Sequence, residues 1–283
     1  MIVLVLGLGL LAQCEPQVTL KQTRRGAIYL PAVYKAPRQP LLGIAASWNG
    51  GADAVRLTRA DWYLNWSHYP SIATNAAFVP MINIYVPDDA AESDYVMGAN
   101  EPNVAAQVNL CPADYVATWR EIEIRYSNRK LVAPGVGDAG NVTCVSPSGI
   151  IQPAISGLNW LIDFRDYYIL AYGRLPQIDV ISFHCYMPPE SPCDYRIATS
   201  RFVALAKSWG VSEVWVTEFD AGKWGAQNPQ YLIDILAYWR TVPMITRIAY
   251  YQDFSYPAVS GDGNNSALTN AAGQLTVYGE LYK

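Results

Sequence analysis

The feature that most constrains the fold is a series of short apolar runs separated by longer stretches with helical periodicity. Several of these runs are continuously apolar rather than alternating, which is typical of parallel strands buried on both faces. In chain order the eight runs are Leu41 to Trp48, Asp61 to Trp66, Phe78 to Ile84, Tyr95 to Ala99, Leu131 to Val136, Val180 to His184, Val214 to Thr217 and Arg247 to Tyr251.

The stretches between the runs predict amphipathic helices over Ala113 to Tyr126, Leu158 to Tyr172, Ile197 to Trp209 and Pro229 to Trp239. The first two crossovers are short. Eight strands that alternate with helices over roughly 240 residues predict a compact (β/α)8 TIM barrel, an α/β fold, as a single domain of residues 41–283. A doubly wound open sheet is the competing layout, but the chain has no G-x-G-x-x-G sequence and no P-loop, which weakens a nucleotide-binding version.

The first forty residues indicate export. Met1 to Leu11 is almost wholly apolar but shorter than the ~20 residues that a membrane span needs, so residues 1–13 are interpreted as a signal-like leader. Leu11-Ala12-Gln13-Cys14 also resembles a bacterial lipobox, which makes a lipid anchor at Cys14 the alternative to ordinary cleavage. Residues 14–40 are polar and proline-rich, as in a linker. We therefore expect a secreted or cell-surface protein without a membrane span.

The five cysteines are consistent with export. Cys185 and Cys193 flank a proline-rich loop that a disulfide could close, and Cys111 and Cys144 could form a second bridge. Cys14 would then be unpaired. Buried free thiols are the alternative.

Composition limits the kinds of partner and cofactor that we expect for this chain. The net charge is −4 and Lys and Arg form no cluster, so nucleic acid is not expected as a partner. The chain has only two histidines, His68 and His184, and no C-x-x-C pair, so neither a metal nor another cofactor is expected. Aromatic residues reach 12%, and Trp and Tyr suit sugar rings, although large cores contain them too.

Two glutamates stand where the chemistry of a barrel is located, at the carboxyl ends of strands. Asn100-Glu101-Pro102 follows the fourth run, and Glu218 ends the seventh. The fourth and seventh strands lie on opposite arcs of an eight-stranded ring, so both side chains can face its mouth. A single glutamate at a strand end is more often a surface charge or an ion-pair partner. Two carboxylates ~5–5.5 Å apart perform retaining glycoside hydrolysis, whereas two carboxylates ~6.5–9.5 Å apart perform inverting hydrolysis.

These residues resemble the signature of the retaining glycosidase clan that is built on this barrel. More narrowly, the chain resembles glycoside hydrolase family 128 (GH128), endo-β-1,3-glucanases with a compact barrel. The resemblance covers about Leu41 to the C-terminus and rests on Trp62 to Trp66, Tyr95 to Pro102, Phe183 to Tyr186, Val214 to Phe219 and Ala267 to Thr276.

The resemblance implies a role for each matched residue. Glu101 would be the general acid/base and Glu218 the nucleophile, while Asn100 would bond the 2-hydroxyl of the sugar under attack. His184 and Tyr186 would line the cleft near the nucleophile. The substrate would be a polysaccharide, most simply β-1,3-glucan, cleaved by a monomer without a cofactor. We expect donors to lower the pKa of Glu218, whereas burial and the charge of Glu218 raise that of Glu101.

Two departures from the family leave other substrates and functions open. Cys185 and Tyr250 stand where the family usually carries Trp, and the smaller ring at Tyr250 puts the sugar platform in doubt. Another β-glycan, such as β-1,4-mannan or cellulose, is therefore an alternative substrate. A non-catalytic glycan-binding barrel is a second alternative, although binding alone does not need two carboxylates.

Further side chains are candidates for sugar contact. Asn65 is polar on an apolar strand and would reach a sugar hydroxyl or tie down a loop, and Asp220 and Asp253 are alternative carboxylates. Aromatic residues would either stack on sugars or plug the barrel. They are Trp66 and Tyr250, which sit at strand ends, and Trp48, Trp62, Tyr63, Tyr85, Trp224 and Tyr251.

Overall fold

The computed structural model describes residues 39–47, 51–186, 195–221, 229–253 and 266–283. Predictions for the signal-like leader and nearly all of the linker lie outside these residues, as do those for Cys14, Trp48, Cys193 and Trp224.

Eight parallel strands form a closed ring, which confirms the predicted (β/α)8 barrel. The strands are β1 (Leu41–Ala45), β2 (Trp62–Leu64), β3 (Ala77–Phe78), β4 (Tyr95–Met97), β5 (Lys130–Val132), β6 (Val180–Cys185), β7 (Glu213–Phe219) and β8 (Ile245–Tyr250). Each pairs in parallel with its neighbour in sequence, and β8 pairs with β1. Between β3 and β4 the ring closes through a parallel bridge of Met81 with Met97.

The helices cover the ring on its outer side. They are α1 (Gly51–Thr58), α2 (Pro112–Arg125), α3 (Gly157–Tyr172), α4 (Tyr195–Ser208), α5 (Pro229–Arg240) and α6 (Val277–Tyr282). Helices α2 to α5 match the four predicted stretches. The early crossovers are abbreviated as expected: α1 has 8 residues, and the described residues 65–76 and 79–94 contain no helix.

Two apolar layers hold the barrel together. The inner layer fills the ring with side chains such as Trp62, Met97 and Trp215, and the larger outer layer lies between the sheet and the helices. The guanidinium of Arg247 lies over the rings of Trp62, Tyr95 and Trp215 at 4.6–5.5 Å, a cation–π arrangement in the inner layer. Because the interior is packed, the chemistry is confined to the ends of the ring.

A disulfide joins Cys111 to Cys144, which confirms one of the two expected bridges. It ties the residue before α2 to the short hairpin of Cys144–Val145 and Ile151–Gln152. Cys185 is buried at the end of β6, and its expected partner Cys193 lies outside the described residues. Within the part of the chain that the structure describes, no helix has the length and apolarity of a membrane span.

Replacing both Cys111 and Cys144 by Ser should lower the free energy of unfolding by about 3–4 kcal/mol, because the crosslink closes a loop of 33 residues in the unfolded chain. Urea denaturation of the double variant and of the wild type measures the difference. A reductant should weaken the wild type but not the variant, and equal stability of the two proteins without reductant would contradict the prediction.

Candidate active site

Glu101 and Glu218 meet at the carboxyl ends of the strands. Glu101 follows β4 and Glu218 belongs to β7, whose neighbour β6 places His184 in register with Glu218. One carboxylate oxygen of each glutamate lies within 4.8 Å of the other and of a ring nitrogen of His184. Two acids separated by more than a hundred residues are thus brought into one cluster by the closure of the ring.

The imidazole of His184 lies between the two carboxylates. It is fully buried, and its Nδ1 is 2.9 Å from Glu101 Oε1 and 3.4 Å from Glu218 Oε2. Gly135 makes room for the ring, since a Cβ at that position would approach His184 Nε2 to 2.7 Å. The backbone oxygen of Gly135 also accepts a hydrogen bond from Glu101 N at 2.7 Å. Sequence reasoning missed Gly135, for which the only signal was Pro134-Gly135 after an apolar strand.

Glu218 is a buried carboxylate with two strong donors. Trp66 Nε1 donates to Oε1 at 2.6 Å and the Tyr186 hydroxyl donates to Oε2 at 2.7 Å. Burial raises the pKa of Glu218. Protonated His184 opposes the rise, the charge of Glu101 adds to it, and the two donors oppose it. The donors lower the pKa of Glu218 as expected, but desolvation of the buried side chain outweighs them, so this pKa lies above its ordinary value.

Tyr186 remains a proton donor across the working range of pH. Burial first, and then the negative charge of Glu218, raise the pKa of its hydroxyl well above the ordinary value. Its hydrogen bond to Glu218 therefore stabilises the ionised form of that carboxylate.

A chain of amides fixes Asn100 beside the glutamates. Asn83 Oδ1 accepts from Asn100 N at 2.9 Å, and Asn83 Nδ2 donates to the carbonyl oxygen of Trp66 at 3.3 Å. Asn100 Nδ2 donates to Gln107 Oε1 at 3.3 Å, and its buried Oδ1 has no hydrogen-bond partner within the described part of the chain. That oxygen is available to a bound hydroxyl. Sequence reasoning missed Asn83 and Gln107 because both lie in irregular loops outside the matched motifs.

Two of these residues have an unusual backbone. Trp66 has φ 57° and Glu101 has φ 39°, in the left-handed region that residues other than glycine rarely occupy. Such conformations cost about 1–3 kcal/mol each and concentrate at functional sites. Here they belong to the turns that place the Trp66 indole and the Glu101 carboxylate.

These side chains line a cavity of about 440 Å³, within the ordinary range for ligand sites. Tyr251 contributes a wall, with its ring edge-on to Trp66 at 5.7 Å. The lining includes Trp66, Asn83, Asn100, Glu101, Gln107, Tyr186, Glu218 and Tyr251. A second cavity of about 540 Å³, beside Tyr95, Arg129 and Arg247, has neither glutamate in its lining.

Two predicted sugar-contact residues are corrected by the structure. Tyr250 is fully buried, where its hydroxyl donates to the carbonyl oxygen of Ser266 at 2.8 Å and its ring packs against Phe219 and Tyr282. Asn65 is 1% exposed, and its amide donates to Tyr69 O and Ser71 Oγ, so it ties down its own loop. Both side chains are committed to packing and cannot contact a ligand in this arrangement.

Four further candidates outside the cavity are structural as well, whereas Tyr85 is exposed and does not line the cavity. Trp62 and Tyr63 are buried in the apolar layers. Asp220 accepts from Ser266 Oγ at 2.6 Å, and Asp253 accepts from Ser47 N at 2.6 Å, so both carboxylates hold loops.

Among the described residues, Glu101, His184 and Glu218 form the one group close enough to ligate a metal ion. Their atoms already bond to one another and to Trp66 and Tyr186, so a cation would have to displace the hydrogen bond between His184 Nδ1 and Glu101. The donor set therefore fits a pair of hydrogen-bonded acids better than a metal centre.

Residues 45–282 match the family described as the glycosyl hydrolase catalytic core. The chain belongs to this family of glycoside hydrolases. The match runs from the last residue of β1 to the end of α6 and includes both glutamates. No curated protein matches this glycoside hydrolase at a significant level.

Solved structures share the fold of this glycoside hydrolase. A GH128 subgroup III curdlan-specific exo-β-1,3-glucanase from Blastomyces gilchristii is 23% identical, with a TM-score of 0.63 over 86% of this chain and 97% of that one. A subgroup II endo-β-1,3-glucanase from Pseudomonas viridiflava is 24% identical, with a TM-score of 0.62 over 87% and 97%. A subgroup I endo-β-1,3-glucanase from Amycolatopsis mediterranei, in complex with laminaritriose, is 19% identical, with a TM-score of 0.58 over 87% and 98%. The expected GH128-like architecture is therefore confirmed.

Replacing Tyr186 by Phe should move the acidic limb of the pH profile of kcat/KM upward by about one pH unit. The lost hydroxyl stabilises ionised Glu218, so its removal raises a pKa that burial has already raised. Activity that needs ionised Glu218 is then lost at a higher pH as the solution is acidified. Hydrolysis rates measured across pH for the variant and the wild type test this, and an unchanged acidic limb would contradict it.

Proposed function

We propose that this glycoside hydrolase cleaves β-1,3-glucan with retention of configuration, using Glu218 as nucleophile and Glu101 as general acid/base. The observation that carries the proposal is the approach of the two carboxylates to within 4.8 Å. This distance joins one oxygen of each carboxylate, and it is nearer to the ~5–5.5 Å spacing of retaining enzymes than to the ~6.5–9.5 Å that admits the attacking water of an inverting enzyme.

Roles follow from the surroundings of each acid. Glu218 accepts from Trp66 and Tyr186, which hold its oxygens for attack on the anomeric carbon and stabilise the carboxylate that must be ionised. Glu101 is the more exposed of the two side chains, 13% against 6%, which suits an acid that must reach the glycosidic oxygen and later an incoming water.

The reaction then proceeds in two displacements. Glu218 attacks the anomeric carbon while Glu101 gives its proton to the departing oxygen, which forms a glycosyl ester on Glu218. Esterification removes the negative charge of Glu218. Glu101, now ionised, takes a proton from water as that water attacks the anomeric carbon, which breaks the bond to Glu218 and restores its carboxylate. His184 spans both acids throughout and keeps their spacing.

Asn100 is positioned for the 2-hydroxyl of the reacting sugar. Its backbone N donates to Asn83 and its side-chain Nδ2 donates to Gln107, while its Oδ1, which has no partner among the described residues, is an acceptor that a sugar hydroxyl would satisfy. A hydrogen bond to this hydroxyl strengthens as the transition state develops charge, so it contributes to the rate.

The choice of β-1,3-glucan rests on the resemblance in sequence and on the shared fold. The three solved structures described above are β-1,3-glucanases, one of them curdlan-specific and one in complex with laminaritriose. They include both exo- and endo-acting enzymes, and endo action is our proposal for this chain. Hydrolysis rates on a panel of β-1,3-glucan, β-1,4-glucan and β-1,4-mannan test which linkage is cleaved. Chromatography of the early products distinguishes internal from terminal cleavage.

The last part of the proposal concerns export of the protein. The Cys111–Cys144 disulfide supports an oxidising compartment, as the leader predicts. We propose a secreted monomer, with anchoring through Cys14 as the alternative that mass spectrometry of the native N-terminus distinguishes.

Rescue by azide distinguishes the nucleophile from the general acid/base. With an activated aryl β-glucoside, Glu218→Ala should lose nearly all hydrolysis and regain turnover in azide, releasing a glycosyl azide of inverted configuration because azide replaces the nucleophile. Glu101→Ala should lose about 10²–10⁴-fold on natural glucan and release a glycosyl azide of retained configuration, because azide attacks the intermediate in place of activated water.

Proton NMR of the azide products reads each configuration. Asp220→Asn, which alters a buried carboxylate outside the cavity, is the matched control and should give no azide product. Wild-type turnover in either glutamate variant, or the same azide configuration from both, would overturn the assignment.

A further inference from the structure

The second cavity, of about 540 Å³, lies at the amino end of the barrel and is called the amino-end cavity below. Among its lining residues, Asp94 directly precedes β4, Arg129 precedes β5 and Arg247 is the third residue of β8. Because the strands are parallel, their amino ends meet at the end of the ring opposite to Glu101 and Glu218. The amino-end cavity shares no lining residue with the active-site cavity, and its volume is ordinary for a ligand site.

One wall of this cavity is the guanidinium of Arg247, a half-buried cation. Among the described residues no carboxylate forms an ion pair with it, and the carboxylate of Glu213 pairs with Lys130 at 3.1 Å instead. Burial lowers the pKa of Arg247, and Tyr95 and Glu213 oppose that shift without reversing it. A guanidinium stays charged and carries five N–H donors, more than one tyrosine hydroxyl can accept. Donors of Arg247 therefore remain for a ligand.

Uncommitted acceptors line the same cavity. Glu92 and Asp94 are exposed, and neither carboxylate has a hydrogen bond or an ion pair with another residue that the structure describes. The side-chain amide of Asn128, also exposed, has no such bond within the described ranges either. The lining thus combines free acceptors and free donors, while Phe78 and Tyr95 supply its apolar part.

The segments that carry these groups are fixed. Lys130 N donates to the carbonyl oxygen of Asp94 at 2.9 Å, which joins the start of β4 to the start of β5. Arg129 Nη1 donates to the carbonyl oxygen of Ala91 at 2.8 Å. The guanidinium of Arg247 is held over three aromatic rings of the inner layer. A ligand would therefore meet a prearranged surface and lose little free energy to ordering it.

We propose that the amino-end cavity is a second glycan-binding site, which holds a sugar unit of a neutral polysaccharide at the end of the barrel opposite to the active site. Sugar hydroxyls both donate and accept. They would donate to the carboxylates of Glu92 and Asp94 and accept from Arg247 and Asn128. The apolar C–H groups of the sugar ring would lie against the apolar part of the lining.

Charge favours a neutral, hydroxyl-rich ligand over other occupants. The lining carries two carboxylates, Glu92 and Asp94, and two guanidinium groups, Arg129 and Arg247. An anion would be repelled by the first pair and a cation by the second. An apolar ligand would cover all four groups without bonding to them, which is costly. The use of β-1,3-glucan as the ligand to test rests on the proposed function.

Calorimetric titration of a β-1,3-gluco-hexaose into Glu218→Ala tests the site without hydrolysis. Two binding events are expected, one at each cavity. Replacing both Glu92 and Asp94 by Ala in this background should weaken one event by about 10-fold and leave the other unchanged. Both side chains are exposed, so the fold should tolerate the change. Arg247→Lys keeps the charge but loses the planar fork, and it should weaken the same event.

A matched control removes two exposed acids that line neither cavity. Asp53 and Glu280 have side chains 45% and 54% exposed, and each forms a surface ion pair within its own helix or terminus. Asp53→Ala combined with Glu280→Ala should leave both binding events unchanged.

Catalysis provides a second readout with Glu218 intact. Glu92→Ala combined with Asp94→Ala should leave hydrolysis of a short aryl glucoside unchanged, because the active-site cavity is untouched. On insoluble β-1,3-glucan the same variant should show KM raised about 3- to 10-fold with kcat unchanged, because the second site no longer helps to hold the enzyme on the polymer.

The outcomes separate this inference from the proposed function. A single binding event in Glu218→Ala, or two events that are both insensitive to loss of Glu92 and Asp94, would overturn the second site and leave the activity standing. Competition by inorganic phosphate for the sensitive event would indicate an anion site and would also overturn the proposal. If the wild type cleaves no β-1,3-glucan, the proposed function fails. Titration with β-1,4-gluco- and manno-hexaose then decides the second site, and the absence of any event sensitive to the two acids overturns it.

Discussion

The site depends on bringing two carboxylates to within 4.8 Å in a buried place, where they repel each other and lose water. The imidazole of His184 lies between them, and Trp66 and Tyr186 each direct a donor at Glu218. These groups come from β2, β4, β6 and β7 or the residues directly after them, so the arrangement exists only when the ring of strands is closed. The packed inner layer and the parallel ladders supply the rigidity that holds four strand ends in register.

The loops around the acids are supported at several points. Glu101 and Trp66 occupy left-handed backbone conformations, which the hydrogen bond of Glu101 N to Gly135 O and the bond of Asn83 to Trp66 O help to maintain. The loop that follows Glu101 carries Gln107 and ends at Cys111, whose disulfide anchors it to the hairpin after β5. Local strain at the chemistry is thus balanced by covalent and hydrogen-bonded support a few residues away.

The aromatic lining of the cavity differs in part from what the sequence pattern suggests. Tyr250, at the position where GH128 enzymes usually carry Trp, is buried under Phe219 and Tyr282 and supports a loop through Ser266. Trp66 and Tyr251 are instead the sequence-predicted aromatic residues that line the cavity. Tyr250 is the last residue of β8 and belongs to the outer apolar layer, whereas Tyr251, which follows the strand, packs against the inner layer and lines the cavity.

The sequence alone determined the eight strands, helices α2 to α5, the closed barrel and the two acids at strand ends, because apolar runs and helical periodicity are local signals that translate directly into buried elements. It also pointed to the Cys111–Cys144 bridge without deciding it. Only the tertiary structure decided that Asn65 and Tyr250 are internal, that Gly135, Asn83 and Gln107 shape the site, and that burial outweighs the donors at Glu218. Those outcomes depend on which side of a strand end faces the ring mouth and on how much water remains there, and both are set by residues distant in sequence that meet only after the barrel closes.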